Sequence, residues 1–508
     1  MQSHKLSLLF AVISYVASAL LTSCSGGSSG SNNSSNFPDF ENVSNEVGIG
    51  DVGALGQTTA WGDFNSDGKQ DLIVANTDID SSSRNVFLFK NDGNGTFSDV
   101  TSESGILDLP LRSVAWADVN NDGFLDLVVG TIMAGKPPIL YKNIGDGVFV
   151  DFSEEAGITR MGGEIGHTIW ADYDRDGLVD LFQANSGQSF LYHNQGDEKF
   201  REVSEESRLE EFNTNSAVWF DFNNDGFLDL FLVNDGLNSL FLNNGYGTFT
   251  DFTDQAGVGG DQDWNSVAAC VGDFNGDRFF DLYVVNISSN RPVRNALYRN
   301  NGGRTFTDVT EETGTEDVGD GRTCAWVDFD NDGRLDLFTT NHVNPSKLFR
   351  NLGNGMFADV ATQVGLGCPD FPDCPIDIFA ASWGDYNNDG FVDVFFNGHI
   401  GKGLMENSGT ENNFLIIELI GNGETTNTSA IGVRVEVVTS EGLQIREVSG
   451  GRGCCEQDML PLHFGVGQEK EVDIKVNWAD EDENVCTFNA VDVEGGPLFL
   501  ISEDECVR

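Results

Sequence analysis

Seven times the chain repeats a nine-residue stretch with oxygen-bearing side chains at its first, third, fifth and ninth positions. These are Asp63, Asn65, Asp67 and Asp71; Asp118, Asn120, Asp122 and Asp126; Asp172, Asp174, Asp176 and Asp180; Asp221, Asn223, Asp225 and Asp229; Asp273, Asn275, Asp277 and Asp281; Asp328, Asp330, Asp332 and Asp336; and Asp385, Asn387, Asp389 and Asp393. Alternate side chains of a tightly curled loop converge on its inside, and calcium takes six to eight oxygen ligands. Glycine stands sixth in every copy but the fifth, where Arg278 replaces it. Glycine permits the sharp turn that follows the third of these side chains. The chemistry this pattern points to is coordination of a hard cation, with the seventh residue offering its backbone carbonyl.

The loops start at intervals of 55, 54, 49, 52, 55 and 57 residues. A period of this size signals a repeat architecture. An apolar run precedes each loop, with Trp61, Trp116, Trp170, Trp219, Trp326 or Trp383 two residues before the first aspartate and Val271 in the fifth copy. Another apolar run follows, so each loop reads as the turn of a β-hairpin. A second block runs Leu88-Phe89-Lys90-Asn91, a glycine-rich turn, then Phe97-Ser98-Asp99, and recurs at 140–158, 191–203, 240–258, 297–314 and 348–366. Four short strands per repeat make one propeller blade. The expected fold is all-β: a seven-bladed β-propeller over 37–410, with a small β domain over 411–508. Phe40-Glu41-Asn42-Val43 copies the end of a repeat, and the seventh repeat stops at Asn407 without one. The N-terminal strand should therefore complete the last blade and cover an edge that would otherwise be exposed.

The twelfth loop position holds Val74, Val129, Gln183, Leu232, Val284, Thr339 and Phe396, where an EF-hand needs a bidentate glutamate. The nine-residue form instead resembles the calcium loops of FG-GAP/VCBS repeats, as in integrin α-subunit propellers and their bacterial relatives. That resemblance implies calcium held by side chains 1, 3, 5 and 9 and carbonyl 7, up to seven ions in all. Loops three and six carry four aspartates and are expected to bind most tightly. Loop five, with Arg278, is expected to bind least. At about millimolar calcium, an extracellular-grade site adds roughly 1.4 kcal/mol of stability. Seven sites add roughly 10 kcal/mol, the scale of a whole domain's stability, which favours a structural role for the metal.

The C-terminal stretches Ala430-Ile431-Gly432-Val433-Arg434-Val435, Arg446-Glu447-Val448-Ser449-Gly450-Gly451 and Leu462-His463-Phe464-Gly465-Val466-Gly467 resemble the ASPIC/UnbV domain. The whole architecture is similar to that of cartilage acidic proteins and many exported bacterial proteins. Cys454-Cys455 departs from that pattern, where an aromatic or aliphatic pair is expected.

The formal charge is -53, from 28 basic and 81 acidic residues. That excludes nucleic acid and anionic membrane surfaces as direct partners. Lys5, an apolar run over 6–21 and Leu21-Thr22-Ser23-Cys24 resemble a bacterial lipoprotein signal. The reading is a signal over 1–23, lipidation at Cys24, and a flexible Ser/Gly/Asn tether over 24–36. An exported, lipid-anchored protein at the outer membrane or cell surface follows, with the lipid as its membrane contact. Export permits disulfides. Cys368 with Cys374, and two bridges among Cys454, Cys455, Cys486 and Cys506, are the candidates. Cys270 and Cys324 lie in corresponding strands but offset by one residue, and are expected free and buried.

The strand leaving each loop ends at Asn76, Asn185, Asn234, Asn286, Asn341 or Asn397, with Thr131 in the second copy. These residues mark the face opposite the loops and are expected to cap turns. The connections after them differ between repeats. Arg84, Lys136, Arg291, Arg294, His342 and His399 are basic groups there, on a very acidic chain, and are the candidates for contact with a ligand. No nucleophile elbow, zincin helix or phosphate loop is present, so no catalytic residue is assigned. The expected function is calcium-stabilised, surface-anchored binding or adhesion to a glycan or protein. The alternatives are a polysaccharide-active enzyme using the face opposite the loops, and a scaffold subunit of an outer-membrane complex.

Overall fold

The computed structural model describes residues 37–508 apart from 54, 79–83, 134–135, 161–165, 210–212, 288–292, 343, 368–376, 453–454, 479–483, 497 and 507–508. The signal segment, Cys24, the tether, Arg291, Cys368, Cys374 and Cys454 lie outside the described residues. Among the described residues no helix is long and apolar enough to cross a membrane.

From Phe40 to Asn407 the chain folds into seven four-stranded antiparallel units in a propeller-like arrangement. In the first, Gly56–Gly62 pairs with Asp71–Asn76, then Val86–Asn91, then Phe97–Asp99. The register Gly62↔Asp71 makes the nine-residue loop the turn between strands one and two, and the other six units repeat it. Both inner strands are buried along their length, because the units stack face to face. This is why they read as continuous apolar runs rather than alternating ones. The innermost strands pack in sequence around a channel, and Gly56–Gly62 also packs on Asp377–Gly384 of the last unit. Phe40–Asn42 pairs with Gly403–Asn407, so the N-terminal strand completes the seventh unit.

One set of side chains repeats this closure in every unit. The asparagine ending each third strand (Asn91, Asn143, Asn194, Asn243, Asn300, Asn351, Asn407) donates its Nδ2 at 2.7–2.9 Å to the second residue of the preceding unit's loop. Asn91 reaches Tyr386 of the last unit and so joins the ends of the ring.

The C-terminal domain has a three-stranded sheet (Leu462–Gly467, Asn413–Ile420, Leu498–Ser502) and a four-stranded one (Gly442–Glu447, Arg434–Thr439, Glu471–Asn477, Val485–Asp492). Its core residues Leu415, Val435, Phe464, Ile474 and Trp478 belong to one cluster with Trp170, Leu181 and Tyr192 of the ring. Residues 37–508 accordingly form a single compact unit. The domain sits on the loop face. Thr428 Oγ1 donates to Asp118 Oδ2 at 2.5 Å, Arg434 bonds Asn224, and His463 lies 3.1 Å from the Gly390 carbonyl oxygen.

Its residues 450–452 and 455–459 enter the channel. Glu456–Gln457 pairs in parallel with Thr59 and Ala60, the Gln457 amide spans the backbone of Trp116, and Asp458 accepts from the Trp383 N–H. Gly450 bridges to Trp170 so closely that a Cβ would stand 2.2 Å from the Trp170 carbonyl oxygen, which only glycine tolerates.

Two cysteine readings are settled. Cys270 and Cys324, expected free, form a disulfide between the innermost strands of units five and six. Their Cα atoms are 5.9 Å apart, within the reach of a disulfide, so the one-residue offset does not separate them. Cys486 bridges to Cys506, and Cys455 is also disulfide-bonded.

Candidate functional site

Each loop is built by its first and ninth residues. The first aspartate accepts the backbone N–H groups of the fifth and sixth residues at 2.6–3.2 Å. The ninth accepts the backbone N–H of the third-strand asparagine at 2.7–2.8 Å. The fourth and sixth residues lie in the left-handed region. Arg278 is held there at φ +78°, so loop five carries the strain its sequence implies. The Arg278 guanidinium turns away from its own loop to Glu436, 3.7 Å off.

Burial pushes the carboxyls up: Asp71 and Asp126 to about 8, Asp385 to about 7, Asp176 and Asp332 to about 6. Asp172, Asp180, Asp328 and Asp336 rise well above the usual range, through burial first and the neighbouring aspartates second. Several carboxylates crowded this deep are costly to keep ionised. In loops three and six the ligand atoms of Asp172, Asp174 and Asp176, and of Asp328, Asp330 and Asp332, lie within 4.8 Å of one another. Asp174 Oδ1, Asp330 Oδ1 and Asp336 Oδ2 are buried without a hydrogen-bond partner. Such a donor set, oxygen-rich and under-bonded, suits a hard divalent cation.

A second residue type shapes these loops and was not read from the sequence. The position before the third-strand asparagine holds Lys90, Lys142, His193, Leu242, Arg299, Arg350 and Glu406. Arg350 lies 2.7 Å from both Asp330 and Asp332, and His193 Nδ1 lies 3.3 Å from Asp174 and Asp180. Lys90 approaches Asp67 at 3.8 Å. Four aspartates in loop six therefore do not act as four free charges, because a guanidinium already sits on two of them. The signal was a basic residue recurring at one place in the third strand.

On the opposite face the strand-end asparagines are buried and most brace neighbouring turns, whereas Asn397 donates to the Thr58 and Ala75 carbonyls of the first unit. Asn76 donates to Val52 and Arg84, Asn286 to Arg294, and Asn341 to Pro345. Of the ligand candidates, Arg84 is clamped by Asp99 at 2.7 and 3.0 Å and Arg294 by Asp308 at 2.6 and 3.3 Å. Both are tied to the outer strand of their own unit. Lys136 is exposed, and no carboxylate among the described residues stands within ion-pair distance of it. His342 and His399 alone among the described candidates converge. Their Nδ1 atoms lie 2.6 and 3.0 Å from the two oxygens of Asp377. Burial would raise Asp377, but the bonds and charges of the two imidazoles hold it well below the usual carboxylate range.

The FG-GAP-like repeat family model matches residues 63–129, 172–232, 221–284, 273–339 and 328–396, together more than half of the chain. A model described as ASPIC and UnbV matches 423–503. Cartilage acidic protein 1 of Xenopus tropicalis is 25% identical over 42% of this chain and 46% of its own length, and that of Homo sapiens 23% over 34% and 26%. The chain thus spans less than half the length of these relatives. Among solved structures, an Agrocybe aegerita lectin described as recognising non-reducing terminal N-acetylglucosamine aligns over 62% of this chain and 82% of its own, at 20% identity and TM-score 0.39. The Vibrio cholerae biofilm matrix protein Bap1 aligns over 90% and 92%, at 12% identity and TM-score 0.35. Likeness of that degree says nothing about a ligand.

Proposed function

The chain belongs to the FG-GAP-like repeat family, and from that premise we propose that it is an extracellular, calcium-stabilised binding protein. Its ligand is a glycan or a protein, it docks on the face opposite the loops, and the protein is held at the cell surface by a lipid on Cys24. The observation that carries this reading is the placement of the C-terminal domain. It covers the loop face and fills the channel, so the face left open is the one where the units differ from one another.

Calcium, when bound, supplies the positive charge that lets buried carboxylates stay ionised. The residues that would hold it are the first, third, fifth and ninth of each loop. The chain itself orients them. Backbone N–H groups fix the first and ninth carboxylates, and the asparagine ring ties each loop to the next unit. The metal's role is then to lock hairpins against one another rather than to meet a ligand. An enzyme working in the channel is disfavoured, because Arg452 and Glu456 there are buried and 3.7 Å apart, paired with each other. The test is a glycan and protein binding array probed with the full chain, with and without calcium. Binding confined to the calcium-loaded, folded protein is expected; no binding to any glycan or protein would overturn the reading.

A further inference from the structure

Six of the seven innermost strands carry a β-bulge at one place, near their start on the face opposite the loops. The register breaks fall at Gln57, Arg112, Asn215, Val267, Arg322 with Thr323, and Phe379. The third unit pairs straight through its described residues, from Gly166 to Ala171. A bulge takes its extra residue out of the ladder and re-aims the side chain. Here the re-aimed set includes two arginines and a phenylalanine at the channel's far mouth.

Arg112 donates its Nε to His167 at 3.1 Å, and no carboxylate among the described residues stands within ion-pair distance of it. Arg112 and Arg322 stand at the same step of the innermost strands of units two and six, and burial and the nearby Arg322 charge lower Arg112 to about 10. Arg322 lies 4.8 Å from the centre of the Phe379 ring and 3.5 Å from Asp320. Its Nε is buried and unpartnered. The rings of His342 and His399 flank Phe379 at 5.9 and 4.7 Å. With Nδ1 of each turned to Asp377, Nε2 is the atom left for a ligand. Both histidines are about one-third exposed, at 32% and 35%.

We propose that this mouth binds an acidic sugar, with the carboxylate of a uronate between Arg112 and Arg322, the sugar ring against Phe379, and its hydroxyls on Nε2 of His342 and His399. Two guanidinium groups, of which Arg112 has no carboxylate within ion-pair distance among the described residues, recognise one carboxylate well. The aromatic ring and the two imidazoles supply the apolar surface and polar partners that a pyranose needs. A polyacidic protein fits less well, since the chain's net charge of -53 repels it at long range. The inference rests on the binding-protein reading above and specifies its ligand.

The test is calorimetric titration of the full chain, in calcium, with an oligosaccharide ending in glucuronate. The same oligosaccharide with its carboxyl reduced to the alcohol is the control. The uronate form is expected to bind, and the reduced form at least about 10-fold more weakly, the size of a lost charge-assisted bond. Arg322→Gln and Phe379→Ala should each weaken binding about 10-fold without moving the melting temperature. Arg112→Gln serves as the second charge variant should Arg322→Gln fold poorly. Equal binding of the reduced form, binding that ignores both arginine variants, or capture of an acidic peptide in place of the uronate would each overturn the proposal. An array ligand that is indifferent to Arg322→Gln would sink this site but leave the binding-protein reading standing. An array with no ligand at all would sink both.

Discussion

The two faces of the ring follow opposite rules. On the loop face seven near-copies are held by the same bonds, unit after unit, and the C-terminal domain covers them. On the far face the turns differ, two of the four described arginine and histidine candidates are tied to their own blades, and the other two converge on Asp377. Repetition marks what holds the ring together, and divergence is what the proposed function assigns to ligand contact. Yet the repeats are not equivalent, since the residue before the third-strand asparagine places a guanidinium, an imidazole or an aliphatic chain above otherwise similar loops.

The strongest way to break this comparison is to strip the calcium proposed for the loops. EGTA should lower the melting temperature by well over about ten degrees, the combined effect of seven linked sites; a melt that does not move would end the structural role given to the loops. Next in size, Asn194→Ala should cost about 2–3 kcal/mol in urea unfolding. It strands the buried carbonyls of Val119 and Val179, and a buried unpaired acceptor is expensive. A value near zero would remove the asparagine ring from what closes the structure.

Smaller effects sharpen the ranking of loops. Asp174→Ala should destabilise more than Asn275→Ala, by roughly 1 kcal/mol, and the reverse order would discredit ranking by loop charge. In loop six, Arg350→Gln should raise calcium affinity a few-fold, read by competition with a fluorescent chelator, because it removes a cation that lies on two of the ligands. Weaker calcium binding would show that Arg350 supports the loop instead of competing for it.

The smallest effect lies on the far face. Asp377 is held below its unfolded value near 4, so the stability it contributes is present above that pH and is lost as pH falls through the folded value. Asp377→Asn should therefore cost about 1 kcal/mol at neutral pH and progressively less in acid. A cost independent of pH would show that the histidines do not depend on its charge.

Much of the fold was legible because its signals are local. Trp61 and Asp63 stand two residues apart, Asp63 and Asp71 share one turn, and the orphan strand Phe40–Asn42 declares itself by matching Phe97–Asp99. The third-strand asparagines were visible as a recurring letter, but nothing local shows that Asn91 bonds Tyr386, 295 positions away. The Cys270–Cys324 bridge was missed for the same reason. Alignment of repeats measures offset along the chain, whereas a disulfide depends on how neighbouring strands are set in space. His342 and His399 were separate candidates until Asp377, entering the seventh unit, drew them onto one carboxylate.

By itself the sequence determined the repeat, its period, the loops' donor atoms and the strand that closes the ring, since each depends on residues a few positions apart and on the periodicity of strands. Only the tertiary structure decided that the C-terminal domain caps the loop face, that 455–459 fill the channel, and that bulges turn Arg112, Arg322 and Phe379 into its far mouth. Those outcomes depend on packing between segments hundreds of residues apart, where burial of a shared core selects one arrangement from many the sequence alone permits.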